Sequence, residues 1–263
     1  MAVTMAARLR SIAAIASVLL LLVGCSDASS ASLSAAVAAS TAVTFTSDDG
    51  VELSGRLFGP ADATSGVVLA HTLSGDQTKW YSFAERLANQ GFRVLTFNFR
   101  GYCPGGDGGC SGGTKDVDAA PADLRSAVDY LRANGVQRVG IGGASMGGTA
   151  ALLVASADPT GIPAVVTLSA PQVLYGLEVS PGVLQTVTGA KLYIAGLGDP
   201  AGAASAADAM AAISPQPVRE EIVTADEHGT ALLTSTSGEQ VQELMEQWFG
   251  RYLAPRPTAS NAS

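Results

Sequence analysis

Along residues 43–252 the hydrophobic positions follow two patterns. Some form short continuous apolar runs, and others recur at the three-to-four-residue spacing of amphipathic helices. The first two runs, Val43–Thr46 and Val51–Phe58, flank an Asp-Asp-Gly turn and predict an antiparallel hairpin. Later runs alternate with helical periods, which indicates an α/β fold with a mostly parallel central sheet and helices on both faces. The further strands are predicted over Gly66–Thr72, Arg93–Phe99, Arg138–Gly142, Ala164–Ser169, Lys191–Ala195 and Arg219–Thr224.

The predicted helices carry their apolar residues on one face and have recognisable ends. Pro121 opens a helix that stops at Gly135, and Met146–Ala157 reads as a helix of small residues. The segment between the sixth and seventh main strands has about twenty residues, too few for a helical cap. We therefore predict a single α/β domain over residues 42–253, without a large cap domain.

The N-terminal residues have the pattern of an export signal. Arg8 and Arg10 precede an apolar stretch over Ile12–Val23, which has the length of a signal-peptide core and is too short for a membrane span. The stretch ends in Leu-Val-Gly-Cys25 and resembles the lipobox of bacterial lipoproteins, which implies that Cys25 is acylated. We expect residues 1–24 to be a signal peptide and the protein to be lipid-anchored in the bacterial cell envelope, with secretion as the alternative.

Two further segments are expected to lie outside the domain. Residues 25–41 are rich in Ala and Ser and predict a tether, and residues 254–263 predict a flexible tail. The formal net charge of −8 argues against a nucleic-acid partner and gives no attraction to anionic lipid. Membrane contact is therefore expected through the anchor alone.

The cysteines beyond Cys25 are Cys103 and Cys110, which lie in a Gly-rich segment. In an oxidising compartment they are predicted to form a small disulfide, with free thiols as the alternative. Two histidines and two spare cysteines in the whole chain are too few for a structural zinc site. No metal or organic cofactor is therefore expected.

A G-x-S-x-G segment lies between a predicted strand and a predicted helix and places Ser145 in the turn between them. Such a turn is so tight that Gly143 and Gly147 must lack side chains, while the serine projects its hydroxyl as a nucleophile. The pattern Gly140-Ile-Gly142 also begins like a dinucleotide-binding fingerprint. That alternative is disfavoured, because Ser145 occupies its third glycine position and the motif does not follow the first strand.

A serine nucleophile needs a base, and His228 follows the last predicted strand. Asp199 follows the strand before it, so both side chains are expected at the same edge of the sheet as Ser145. We predict His228 as general base and Asp199 as the carboxylate that orients it. Asp226 and Glu178 are the alternative acids, and an ordinary surface loop is the alternative reading of His228.

Five segments of the chain, in their order along the sequence, resemble the α/β-hydrolase superfamily, in particular dienelactone-hydrolase-like enzymes and small esterases. Besides the serine, acid and base segments, Leu69–Gly75 is similar to the family's His-Gly oxyanion segment, and Asn98–Tyr102 to its Asp-x-Arg-Gly loop. The resemblance implies an α/β-hydrolase fold, in which the backbone amides of Leu73 and Met146 bind the oxyanion. It also implies a structural role for His71.

Two residues depart from the family pattern. Thr72 stands where a glycine usually follows His71, and it is expected to reshape the oxyanion loop around Leu73. Asn98 stands where an aspartate is usual, and it is expected to affect loop packing more than chemistry.

These features predict a serine hydrolase that cleaves a carboxylic ester of a small-molecule acyl substrate through an acyl-enzyme. A thioesterase or serine peptidase with the same residues is one alternative; for a peptidase, Tyr102 and Glu178 would be candidates to hold the peptide amine. A non-catalytic envelope protein that binds a ligand on the same scaffold is another.

Overall fold

The computed structural model describes residues 34–254 and contains an eight-stranded sheet with helices on both faces. This architecture confirms the predicted α/β fold. The sheet strands and the hairpin strands are β1 Ser40–Thr46, β2 Glu52–Phe58, β3 Ser65–Ala70, β4 Arg93–Phe97, β5 Arg138–Ala144, β6 Ala164–Leu168, β7 Val173–Leu174, β8 Leu177–Glu178, β9 Ala190–Gly196 and β10 Val218–Val223. The helices are α1 Tyr81–Asn89, α2 Ala120–Ala133, α3 Met146–Ala157, α4 Pro181–Thr186, α5 Ala203–Ile213 and α6 Gly238–Leu253.

The large sheet has the order β1-β2-β4-β3-β5-β6-β9-β10. Strands β1, β2 and β4 pair antiparallel, and every other neighbouring pair is parallel. The carboxyl ends of β3, β5, β6, β9 and β10 therefore meet at one edge, where ligands bind in sheets of this kind.

The helices bury one apolar stripe each against the sheet. Helices α2, α3 and α5 contribute to a core on one face, and α1 and α6 to a core on the other. In α2 the stripe consists of Leu124, Ala127 and Leu131, spaced three and four residues apart and fully buried. Strands β3, β5 and β6 are buried on both faces, which explains their continuous apolar sequences.

The domain begins earlier than the sequence pattern predicted. Strand β1 starts at Ser40, and residues 34–38 form a short helical segment in which Ala36 is fully buried. The guanidinium of Arg56 donates to Ser40 Oγ at 2.7 Å and to the Val37 carbonyl oxygen at 3.1 Å. The last part of the predicted tether is thus packed on the fold; its Ala-rich sequence has no polar face to mark it as a helix, although alanine favours helix formation.

Several predictions fall outside the described residues. The signal peptide over 1–24, the acylation site Cys25 and residues 255–263 of the predicted tail all lie there. Among the residues that the structure describes, no helix has the length and apolar character that a membrane span requires.

The connection between β6 and β9 is short, as predicted. It holds the two-stranded β7–β8 hairpin and the single helix α4, so no cap domain is inserted there. In the loop between β4 and α2, Cys103 and Cys110 are joined by a disulfide.

Candidate active site

Ser145 stands in a sharp turn between the end of β5 and the start of α3. Its backbone has φ 49° and ψ −115°, a conformation that residues other than glycine rarely adopt. Flanking glycines allow the turn: a Cβ at Gly143 would lie 2.2 Å from the Gly147 carbonyl oxygen, and a Cβ at Gly147 would lie 2.4 Å from that of Ala70. The small residues of the motif are therefore required by backbone contacts.

Three predicted site residues form one chain of hydrogen bonds. Nε2 of His228 lies 2.8 Å from Oγ of Ser145, and Nδ1 of the same ring lies 2.8 Å from Oδ2 of Asp199. The second carboxylate oxygen of Asp199 accepts from the Ala201 amide at 2.9 Å. The Asp199 side chain is fully buried, whereas that of His228 is 34% exposed. The imidazole of His228 thus has a buried partner on one side and access to solvent on the other.

The alternative acids lie elsewhere. Asp226 and Glu178 are both exposed, and Nδ1 of His228 is already bonded to Asp199. Asp199 reaches the ring because β9 and β10 are parallel neighbours, so the loops that follow them meet at the same edge of the sheet. Tertiary proximity therefore outweighs the closeness of Asp226 in sequence.

The loop after β3 is held by the buried ring of His71. Its Nδ1 lies 2.7 Å from the Thr72 carbonyl oxygen, and its Nε2 lies 3.1 Å from the Phe99 amide nitrogen. Because the carbonyl can only accept and the amide can only donate, the geometry assigns the proton to Nδ1. Burial lowers the pKa of His71 to about 4, which keeps the ring neutral at pH 7.

These contacts orient two successive peptide units. The Thr72 carbonyl and the Leu73 amide share one planar peptide unit, so the bond from His71 also sets the direction of the Leu73 N–H. The next unit is held by Tyr102, whose hydroxyl donates to the Leu73 carbonyl oxygen at 2.6 Å. On the other side of the turn, Met146 is the first residue of α3, where a backbone amide has no acceptor within the helix.

Thr72 is accommodated by a glycine next to the candidate base. A Cβ at Gly229 would lie 2.7 Å from the Thr72 methyl group, and Gly229 has a φ of 61°. The Thr72 side chain therefore occupies space that any side chain at Gly229 would need. Thr72 departs from the family pattern, and the glycine that leaves room for it, Gly229, lies 157 positions further along the chain. No local sequence pattern indicates this contact.

Asn98 is fully buried and connects two loops. Its Oδ1 accepts from the Gln77 amide at 3.0 Å, and its Nδ2 donates to the Gly108 carbonyl oxygen at 2.6 Å. An aspartate here would place a charged oxygen against that carbonyl. The asparagine thus holds the loop that contains the disulfide.

Arg100, like Asn98, follows strand β4, and it forms a buried ion pair. Its guanidinium donates to both oxygens of the fully buried Asp123 and also to the exposed Asp49. The guanidinium lowers the pKa of Asp49 well below its usual range. This pair joins the loop after β4 to α2 and to the β1–β2 turn, and it lies apart from the hydrogen-bonded chain at Ser145.

A cavity of about 210 Å³ lies beside Ser145 and His228. Its wall includes Ser169, the last residue of a predicted strand and not one of the predicted site residues. The signal available in the sequence was a polar residue at the carboxyl end of a buried parallel strand. The remaining lining residues are Pro171, Leu174, Ala201, Ala203 and Ala206.

Residues 34–254 contain no group of three or more His, Cys, Asp or Glu side chains that could hold a metal ion. The absence of a cofactor remains a prediction.

Comparison with known proteins agrees with this fold. Residues 67–255 match the profile of the α/β-hydrolase fold family, which is more than half of the chain. The chain belongs to this family. Comparison with curated proteins finds no significant match.

Several solved structures of the family share the fold. A dienelactone hydrolase from Anabaena variabilis is 24% identical, with 81% of this chain and 98% of that chain covered and a TM-score of 0.66. An esterase from Pyrococcus furiosus is 20% identical, with 81% and 93% covered and a TM-score of 0.64. Est1E from Butyrivibrio proteoclasticus, in a structure with ferulic acid bound, is 16% identical, with 81% and 100% covered and a TM-score of 0.67.

Proposed function

We propose that this α/β hydrolase is a serine hydrolase that cleaves a carboxylic ester through an acyl-enzyme. The observation that carries the proposal is the continuous chain from Asp199 through His228 to Ser145, with 2.8 Å at each hydrogen bond to the imidazole. A serine hydroxyl is a weak nucleophile on its own, and a base at this distance activates it.

The proposed reaction begins with attack by Ser145 Oγ on the ester carbonyl carbon, while Nε2 of His228 takes the hydroxyl proton. The tetrahedral intermediate then collapses, and His228 returns the proton to the leaving alcohol. Water then enters, loses a proton to the same nitrogen and attacks the acyl carbon of the acyl-enzyme. The second tetrahedral intermediate collapses, the bond to Ser145 Oγ breaks, and His228 returns the proton to that oxygen, which releases the acid and regenerates the serine.

Asp199 has two roles in this proposal. It accepts a hydrogen bond from the Nδ1–H group of His228, so that Nε2 faces Ser145 as an acceptor, and it stabilises the imidazolium that forms during attack. Its own position is secured by the hydrogen bond from the Ala201 amide.

The oxyanion is proposed to bind the backbone amides of Leu73 and Met146. The positive end of α3 adds to this stabilisation, because the helix begins at Met146. Loss of one such donor typically costs about a hundredfold in rate. His71 and Tyr102 support the Leu73 side of this arrangement through the two peptide units that they hold.

The decisive experiment is labelling of the purified protein with a fluorophosphonate, which reacts with activated serines. We expect the wild-type protein to be labelled and the Ser145→Ala and His228→Ala variants to remain unlabelled. Ser205→Ala is the matched control, because Ser205 is exposed on α5 and outside the cavity; this variant should be labelled like the wild type. A folded wild-type protein that is not labelled would contradict the proposal and favour a ligand-binding protein on the same scaffold.

Hydrolysis of matched esters, thioesters and amides then separates the related activities. We expect the ester to be cleaved fastest. A thioester or peptide substrate with the higher kcat/KM would replace the ester assignment while leaving Ser145 as nucleophile.

We also propose that the protein is anchored to the cell envelope through an acylated Cys25. The support comes from the sequence of residues 1–25 alone. A Cys25→Ser variant that still incorporated labelled fatty acid would contradict this assignment.

A further inference from the structure

Ser169 is the immediate neighbour of the proposed nucleophile on the next strand. Strands β5 and β6 are parallel, with Ala144 paired to Leu168, so the residues that follow them, Ser145 and Ser169, lie side by side at the edge of the sheet. The Ser145 amide donates to the Leu168 carbonyl oxygen at 2.8 Å, which keeps the two strand ends together.

Two features coincide at Ser169 and at no other residue of the described part of the chain. Its Oγ is buried without a hydrogen-bond partner there, although nearly all buried polar groups in proteins have one. Its φ of 52° is a left-handed conformation that serine seldom adopts, even though its amide is held by the Ile194 carbonyl oxygen at 2.8 Å. An unpaired hydroxyl on a strained backbone is characteristic of ligand sites, where the partner arrives with the ligand.

The cavity that Ser169 lines defines what such a ligand can be. Apart from Ser145 and His228, which the proposed reaction uses, the other lining residues are one proline, one leucine and three alanines. A volume of about 210 Å³ is below the roughly 300–1,000 Å³ of pockets that hold drug-sized ligands, so the cavity suits a small group. The cavity is therefore small and mostly apolar. Ser169 is the polar side chain in its wall that has no role in the proposed catalytic chain.

We propose that this cavity binds the acyl half of the substrate, and that Ser169 selects a short acyl chain that carries a hydroxyl or oxo group. The leaving alcohol must take its proton from His228 and depart past the exposed side of that ring, so the cavity beside Ser145 is left to the group that stays on the serine. A substrate oxygen there would give the Ser169 hydroxyl its missing partner. This inference rests on the proposed function.

The test uses esters with one leaving group and matched acyl chains: 4-nitrophenyl butanoate and its 2-hydroxy and 3-hydroxy derivatives. For the wild-type protein, we expect kcat/KM for one of the hydroxylated esters to exceed that for the butanoate by about tenfold, the size of one well-made hydrogen bond. In Ser169→Ala this ratio should fall to about one. Ser205→Ala, which removes an exposed hydroxyl from α5, should keep the wild-type ratio.

A second variant guards against misfolding of the first. Ser169→Gly also removes the hydroxyl, and glycine adopts a positive φ without strain, so it should give the same ratio as Ser169→Ala. A wild-type protein that hydrolyses all three esters equally, or a preference that survives in both variants, would overturn the inference and leave the serine-hydrolase proposal intact. A wild-type protein that hydrolyses none of them and resists the fluorophosphonate would instead contradict the proposed function.

Discussion

The two sides of the candidate site are built in different ways. On the nucleophile side, formed by Ser145, Asp199 and His228, the shape comes from backbone packing around glycines, and the polar side chains bond mainly to one another. On the other side, called the oxyanion side after its proposed role and formed by the loops after β3 and β4, buried polar side chains such as His71 and Asn98 bind backbone groups of neighbouring loops.

This difference predicts which substitutions change only the reaction rate and which also change the stability of the fold. A polar group whose partners are other reactive groups can be replaced with little effect on folding, whereas a buried group that satisfies backbone atoms leaves those atoms unpaired when it is removed. We therefore expect substitutions on the nucleophile side to reduce the rate alone, and substitutions on the oxyanion side to reduce both rate and stability.

The largest expected effect is that of Asp199→Asn. If the asparagine oxygen keeps the bond from the Ala201 amide, its NH2 group faces Nδ1 of His228 and forces the proton onto Nε2, which can then no longer accept from Ser145. We expect kcat for ester hydrolysis to fall about 10⁴-fold. The melting temperature should change little.

Asp226→Asn is the matched control, because Asp226 is an exposed acid near the same histidine. Its rate should stay within about twofold of the wild-type rate. A comparable loss in both variants would indicate that the general charge of the loop matters, and would remove the distinction between the two acids.

An intermediate effect is expected for the pH dependence of stability. His71 titrates at about 4 in the fold and near 6.5 in an unfolded chain. Its neutral form is the one that the fold accepts, so its contribution is fully present above pH 6.5 and is lost as the pH falls toward 4. The free energy of unfolding should therefore decrease by about 3 kcal/mol over this window on account of His71 alone.

Chemical denaturation of wild-type protein and His71→Gln between pH 7 and pH 4 measures this contribution. The glutamine does not titrate, so the difference in unfolding free energy between the two proteins should shrink as the pH falls. Asp49 does not obscure the result, because the lowered pKa of this carboxyl places its loss of stability below about pH 4. A difference that stays constant with pH would show that His71 is not buried as the structure describes.

The smallest expected effect is that of Tyr102→Phe. This change removes the hydrogen bond to the Leu73 carbonyl oxygen and keeps the ring that packs against His71. We expect a loss of about 1 kcal/mol in the free energy of unfolding. A several-fold decrease in kcat with little change in KM should accompany it, because the adjacent Leu73 amide is proposed to bind the oxyanion of the transition state.

Tyr175→Phe provides the comparison for this variant, because Tyr175 is exposed at the tip of the β7–β8 hairpin and should change neither quantity. Reduced stability with an unchanged kcat in Tyr102→Phe would mean that the oxyanion loop keeps its position without this bond. The two sides of the site would then be less different than the structure indicates.

Several features of the fold and site were predictable from local sequence. Continuous apolar runs marked strands that are buried on both faces, and the bounds of these strands agree with the structure to within two residues at most ends. The G-x-S-x-G pattern located the turn at Ser145, because its glycines are required by contacts within and next to that turn. The boundary of the tether was predicted less well, because packing of Ala36 against the sheet has no periodic signal.

The sequence by itself therefore determined the strand and helix order, the position of the turn at Ser145 and the set of residues able to carry acid–base chemistry. These properties depend on spacing, chain order and residue type. Tertiary structure alone decided that Asp199 and not Asp226 faces His228, that Gly229 makes room for Thr72, and that the Ser169 hydroxyl is buried beside the nucleophile. Each of these depends on contacts between strands or loops that are distant in sequence, and such contacts exist only after the sheet has assembled.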